Sequence, residues 1–149
     1  MELCFNTKIV EVAMVDYKVP HLEMIQGVIN RMARNSFALK GWAVTLVAGI
    51  FALSSKNTDK MYFLVAYIPI LVFWGLDAYY LLQEKLFRAL FNKTRTTDET
   101  IIDFSMDVSL DEFRTPDNSY WKCIISPTEL GFYFPLAIVT AGIIIITHI

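Results

Sequence analysis

VFWGLDAYYLLQEKLFRAL, residues 72–90, runs from a segment apolar enough for lipid into one too charged for it, and Asp77 stands near the change. A carboxylate at the centre of a membrane helix costs about 2.5 to 3.5 kcal/mol, and less toward the interface, so it calls for a partner or a task. Outward from this stretch, charges almost vanish from residues 41–55, 61–76 and 130–147. A soluble core in a chain of 149 residues would show shorter, interrupted apolar runs; this chain is 55% hydrophobic with a net charge of −2. The pattern predicts an all-α membrane protein with three transmembrane helices.

The first span is expected at 36–55, with Lys40 as its only charge, and the second at 60–82, with Asp77 as its only internal charge. The polar turn SSKNTDK between them is short, so the two helices form an antiparallel hairpin over 36–82. Lys40 and Asp77 then lie about 22 and 25 Å from the turn at 1.5 Å per residue, nearly level. An ion pair between them is the first expectation. The alternative is a pore-lining stripe of Asp77, Glu84 and Arg88, with Glu84 and Arg88 at the favourable i, i+4 spacing.

The third span, over 126–149, opens with SPTEL. Ser126 as N-cap, Pro127 at the first helical position and Glu129 three residues after the cap make a capping box. Pro69 and Pro135 are expected to kink the second and third spans. Lys and Arg cluster before the first span (Arg31, Arg34, Lys40) and after the second (Lys85, Arg88, Lys93, Arg95). The positive-inside rule therefore places the amino terminus and the 83–125 segment in the cytoplasm and the carboxyl terminus outside. No secretory signal is expected, because residues 1–20 carry Glu2, Glu11 and Asp16 and have no basic start before a clean apolar run.

Two aqueous parts follow. Over 20–35, Leu22, Ile25, Ile29, Met32 and Ala33 recur at helical steps opposite Glu23, Gln26, Asn30, Arg31 and Arg34, predicting an amphipathic helix that starts near Pro20. It can continue into the first span, lie on the inner leaflet or pack on another helix. The 83–125 segment begins as a charged helix and then reads IDFSMDVSLD, where Ile102, Phe104, Met106, Val108 and Leu110 alternate with Asp103, Ser105, Asp107, Ser109 and Asp111. Such alternation predicts a strand, with KIVEVAMV (8–15, within the 1–19 segment) as its partner in a small cytoplasmic α/β portion. A helical ridge of Asp103, Asp107 and Asp111 holding metal is a weaker alternative, lacking the glycine and spacing of a calcium loop.

Catalytic equipment is hard to assemble from this chain. His21 and His148 fall on opposite sides of the membrane, no Ser or Cys has the context of a nucleophile, and no glycine-rich phosphate loop or metal constellation occurs. Cys4 and Cys123 are expected as free thiols on a reducing side. No cofactor is expected. Direct nucleic-acid binding is not expected either; Lys93, Arg95 and Arg114 with Trp121 could hold a nucleotide second messenger, but scattered basic residues of this sort are more often topology determinants and solvated charges. Small residues at four-residue steps, Gly41, Thr45 and Gly49 in the first span and Ala137 and Ala141 in the third, let helices approach closely. They serve packing within the subunit or, the preferred expectation, self-association.

MIQGVINRMARNSFALKGWAVTLVAGIFAL followed by YIPILVFWGLDAYYLLQEKLFRALF resembles the layout of small bacterial SLATT membrane effectors: a helix leading into a two-span hairpin and a charged cytoplasmic helix. The likeness covers about residues 20–95, and the third span departs from it. It implies a role in nucleotide-signalling or CRISPR-linked anti-phage defence, in which an inner-membrane oligomer perturbs the membrane once a separate sensor triggers it. A non-conducting anchoring or regulatory subunit, or a cyclic-nucleotide-gated channel, are the alternatives.

Overall fold

The computed structural model describes the backbone of residues 2–53, 64–109, 111–113 and 118–147, and the side chains of 17–53, 64–99, 101–109, 111–113 and 118–146. Helix α1 (Glu2–Ala52) is followed by α2 (Tyr67–Thr96), a 3-10 turn (Glu99–Ile101), the short α3 (Tyr120–Ile124) and α4 (Pro127–Thr147). Among the described residues there is no strand.

The amphipathic segment and the first apolar stretch form one helix. Pro20 lies inside α1 rather than at its start, and residues 8–15 are helical rather than extended. The continuity comes from a single seam: His21, Ile25 and Ile29, then Ala43 and Val47, are all buried. Facing them on α2 are Ile70, Asp77, Ala78, Leu82, Leu86 and Leu90. The amphipathic helix thus packs on its own subunit's α2, leaving Arg31 and Arg34 exposed. Lys18 Nζ donates to Thr97 O at 2.9 Å, placing a cation at the negative end of α2.

Two hydrophobic clusters divide the seam. One joins Ala43, Val47, Ile70 and Tyr133, with Phe51, Phe73 and Trp74 against them. The other joins Ile25, Ile29, Leu82, Leu86 and Leu90 with Phe113 and Cys123. Burying each large aliphatic side chain contributes about 1.5–3 kcal/mol.

The alternating segment is extended but pairs with no strand. Of the apolar face expected here, Met106 and Val108 pack on the second cluster, so helices provide the dry surface, while Phe104 is 41% exposed and Leu110 lies outside the described residues. Its polar side chains take over the work of a ladder. Asp103 Oδ1 accepts from Ser105 N at 3.0 Å, Ser105 Oγ from Asp107 N at 3.1 Å and Ser109 Oγ from Glu112 N at 3.2 Å. The small α/β portion is therefore replaced by an extended strap on a helical hairpin, and the aspartates of the imagined metal ridge share no helix.

Among the described residues two helices are long and apolar enough to cross a membrane, where three were expected: 17–52 within α1 and 127–146 within α4. Their most apolar windows are only 11% and 17% buried, unlike the core helix of a soluble protein. The start of the expected second span lies outside the described residues, and α2 reaches Asp77 within about 15 Å of its first residue, too short an apolar run to span by itself. Because Ile70 packs with Ala43 and Val47, the apolar beginning of α2 shares whatever layer α1 occupies. Pro69 falls in the first turn of α2, where no intrahelical bond is lost, so it has no cause to kink that helix; Pro135 lies inside α4.

Candidate functional site

Between the two clusters the seam turns polar. Lys40 lies one turn before Ala43 on α1, and Asp77 two turns after Ile70 on α2, so the antiparallel register brings them face to face. Lys40 Nζ contacts Asp77 Oδ2 and reaches Glu129 Oε1 of α4 at 3.3 Å. It also donates to Ser36 Oγ at 3.1 Å. Tyr133 OH donates to Asp77 Oδ2 at 3.1 Å, and the ammonium sits 5.9 Å from the ring centres of Phe132 and Tyr133. Both carboxylates are fully buried, and Lys40 nearly so.

The charge count defines what this cluster can do. One ammonium faces two carboxylates, and among the described residues Asp77 Oδ1 and Glu129 Oε2 are buried with no hydrogen-bond partner. Unpaired buried carboxylate oxygens are costly, so Lys40, which meets both carboxylates, is what lets the three helices join at this point. Its surroundings hold it in place. Trp74 Nε1 donates to Ile124 O at 3.0 Å, Tyr120 OH to Gly75 O at 3.1 Å and Tyr67 OH to Ala137 O at 3.4 Å, tying α3 and α4 to α2.

Glu129 and Tyr133 were not anticipated as members. Glu129 was read as half of a capping box, and only the other half forms: Glu129 N donates to Ser126 Oγ at 3.4 Å, while its side chain turns to Lys40. The available signal was that Glu129 is the only charge in 127–147.

The remaining candidate residues do not join this site. Glu84 and Arg88 pair with each other at 2.8 Å along α2, with Arg88 exposed and Glu84 mostly buried. Gly41, Thr45 and Gly49 face outward, and a Cβ at Gly41 or Gly49 would meet nothing within 4 Å, so this face does not pack on α2. Ala137 and Ala141 are half-buried. His21 is buried edge-on to Phe104, and neither ring nitrogen has a hydrogen-bond partner among the described residues.

Among the described residues the nucleotide-binding set is not assembled either. Lys93 is taken by Glu112 at 2.5 Å and borders a cavity of about 240 Å³ that it shares with Asp103 and Asp107, a lining hostile to phosphate. Trp121 lines a different cleft, Arg95 is exposed, and Arg114 and His148 lie outside the described residues, as does the side chain of Cys4. Cys123 is a buried free thiol; burial pushes its pKa up, and the Lys85 ammonium beside it opposes the shift without cancelling it.

No family model, curated protein or solved structure matches this chain. The SLATT likeness therefore rests on residue layout.

Proposed function

We propose that this chain is an oligomeric inner-membrane effector of a bacterial defence system, perturbing membrane integrity or potential when a separate partner triggers it. The observation that carries the reading is the outward face of Gly41, Thr45 and Gly49 on an apolar helix. In lipid, where apolar surface alone drives no association, such a face favours close contact with another helix, here a second copy. The Lys40, Asp77 and Glu129 cluster adds a second element: a buried charged junction whose repartnering would let the helices separate, as a pore requires. The amino terminus and the α2 carboxyl end are assigned to the cytoplasm from the basic residues flanking the apolar segments.

The test is dye leakage and membrane potential in liposomes holding purified protein, with and without its trigger. Increased permeability is expected, and Gly41→Leu/Gly49→Leu should weaken both self-association and leakage. A strictly monomeric protein in detergent would remove the pore reading.

One observation favours an anchoring or regulatory subunit as a second reading. Tyr17, Val19 and Met24 are more than half exposed on the polar half of α1, a surface suited to a protein partner. Protein that binds such a partner yet never raises permeability would favour it.

A further inference from the structure

A second cleft, of about 430 Å³, opens where α3 meets α4 and is lined by Lys85, Trp121, Lys122, Ile125, Ser126 and Pro127. Its two cations come from different elements, Lys85 from α2 and Lys122 from α3. Trp121 is 71% exposed and Ile125 64% exposed beside them. Cys123, on the opposite side of the same short helix, is buried against the core, so α3 is fastened by one side and presents tryptophan and lysine on the other.

The level of this cleft is marked three times. The apolar run of α4 begins at Pro127. Tyr120 and Ile124 of α3 are hydrogen-bonded to Gly75 and Trp74, just before Asp77 ends the apolar start of α2. Glu129 meets Lys40 one turn into α4. All three put the cleft at the edge of the apolar layer, where headgroups lie. Tryptophan favours that depth, since its ring is amphipathic, and lysines there attract anionic lipid.

We propose that this cleft holds the phosphate headgroup of an anionic phospholipid. The phosphate lies against Lys85 and Lys122, the two cations that line the cleft, Trp121 rests at the ester level, and the exposed Ile125 meets the first acyl carbons. The assignment rests on the membrane insertion proposed above, and it concerns lipid identity rather than pore formation. The element that touches lipid, α3, is bonded through Trp74 and Gly75 to the turn of α2 next to Asp77.

The test has two readouts on the full chain. Flotation with phosphatidylcholine vesicles and with vesicles containing phosphatidylglycerol reports insertion. Native mass spectrometry of detergent-solubilised protein titrated with each lipid reports selective retention. The expected result is flotation with both vesicles and preferential retention of phosphatidylglycerol, reduced about fivefold for each lysine removed in Lys85→Gln and Lys122→Gln. Lys85→Arg/Lys122→Arg should keep the preference, and an unchanged far-ultraviolet helical signal separates lost binding from lost folding. Flotation with equal retention of both lipids, or a preference that survives Lys85→Gln/Lys122→Gln, overturns the headgroup site and leaves the membrane reading standing. Displacement of phosphatidylglycerol by millimolar glycerol phosphate would assign the cleft to a soluble phosphate compound and overturn the lipid. Flotation with neither vesicle would overturn both readings.

Discussion

On either side of Lys40 and Asp77 the same two helices pack by opposite rules. Toward the α1 carboxyl end the seam buries Ala43, Val47 and Ile70, with Tyr133 of α4 against them, while Val44, Leu46, Ile68, Leu71 and Val72 face outward. Toward the α1 amino terminus it buries Ile25, Ile29, Leu82, Leu86 and Leu90, while Glu23, Gln26, Asn30, Arg31 and Arg34 face outward. One half is organised as a water-soluble helical pair and the other is apolar outside as well as in. What differs is the solvent that each half suits, and the charged cluster lies at the border between them.

The comparison can be broken most forcefully at that border. Lys40→Gln leaves two buried carboxylates facing one another and should destabilise the protein by about 3–5 kcal/mol in a denaturant titration of detergent-solubilised protein. A change below about 1 kcal/mol would mean that the cluster does not join the helices.

The two halves should then respond differently to one truncation. Leu86→Ala, in the polar half, should cost about 2–5 kcal/mol, whereas Leu46→Ala, pointing outward in the apolar half, should stay within about 0.5 kcal/mol. Equal losses would place a protein neighbour over Leu46, which a crosslink from that position would reveal.

Outward-facing charge sharpens the same contrast. Ile138→Lys should oppose membrane insertion by about 2.5–3.5 kcal/mol, while Met24→Lys, on an exposed position of the polar half, should leave vesicle flotation unchanged. Indifference at position 138 would argue against α4 crossing a membrane.

Within the cluster, Asp77→Asn should be milder than Lys40→Gln, because Lys40 keeps Glu129. The double variant should recover part of the Lys40→Gln loss, with a coupling of about 0.5–3 kcal/mol in a double-mutant cycle. Simple additivity would separate the two residues energetically.

The smallest expected effect concerns Cys123. Its thiol keeps its proton to higher pH in the folded chain than when unfolded, so its contribution to stability is full below the ordinary thiol range and falls as pH rises through it. In a Cys4→Ser background, alkylation should therefore lag behind a free thiol and accelerate only above pH 9.0, the ordinary value. Rapid alkylation at neutral pH would show that the strap and α3 open readily.

Much of the hairpin was legible because helix rise is constant. Counting residues from the turn brought Lys40 and Asp77 level, and the structure places them in contact. Glu129 and Tyr133 were beyond that count, since the height of α4 against the hairpin is determined by contacts such as Trp74 with Ile124 rather than by any chain length. The alternation of 102–111 marked Met106 and Val108 as dry but not that Phe104 would be exposed or that helices would cover the rest, because a period of two reports which side chains share a face and nothing about the surface they meet. Likewise, the steps of Gly41, Thr45 and Gly49 marked a close-packing face without saying toward whom it points.

The sequence by itself determined the helical character of the chain, the apolar stretches and the depth at which a lysine and an aspartate must meet, because each follows from local periodicity and a constant rise. Only the tertiary structure decided that a second carboxylate shares that lysine, that the acidic strap lies on helices, and that Lys85 and Lys122 border one cleft. Those outcomes depend on how separate elements pack in three dimensions, where shape and burial rather than spacing along the chain select the partner.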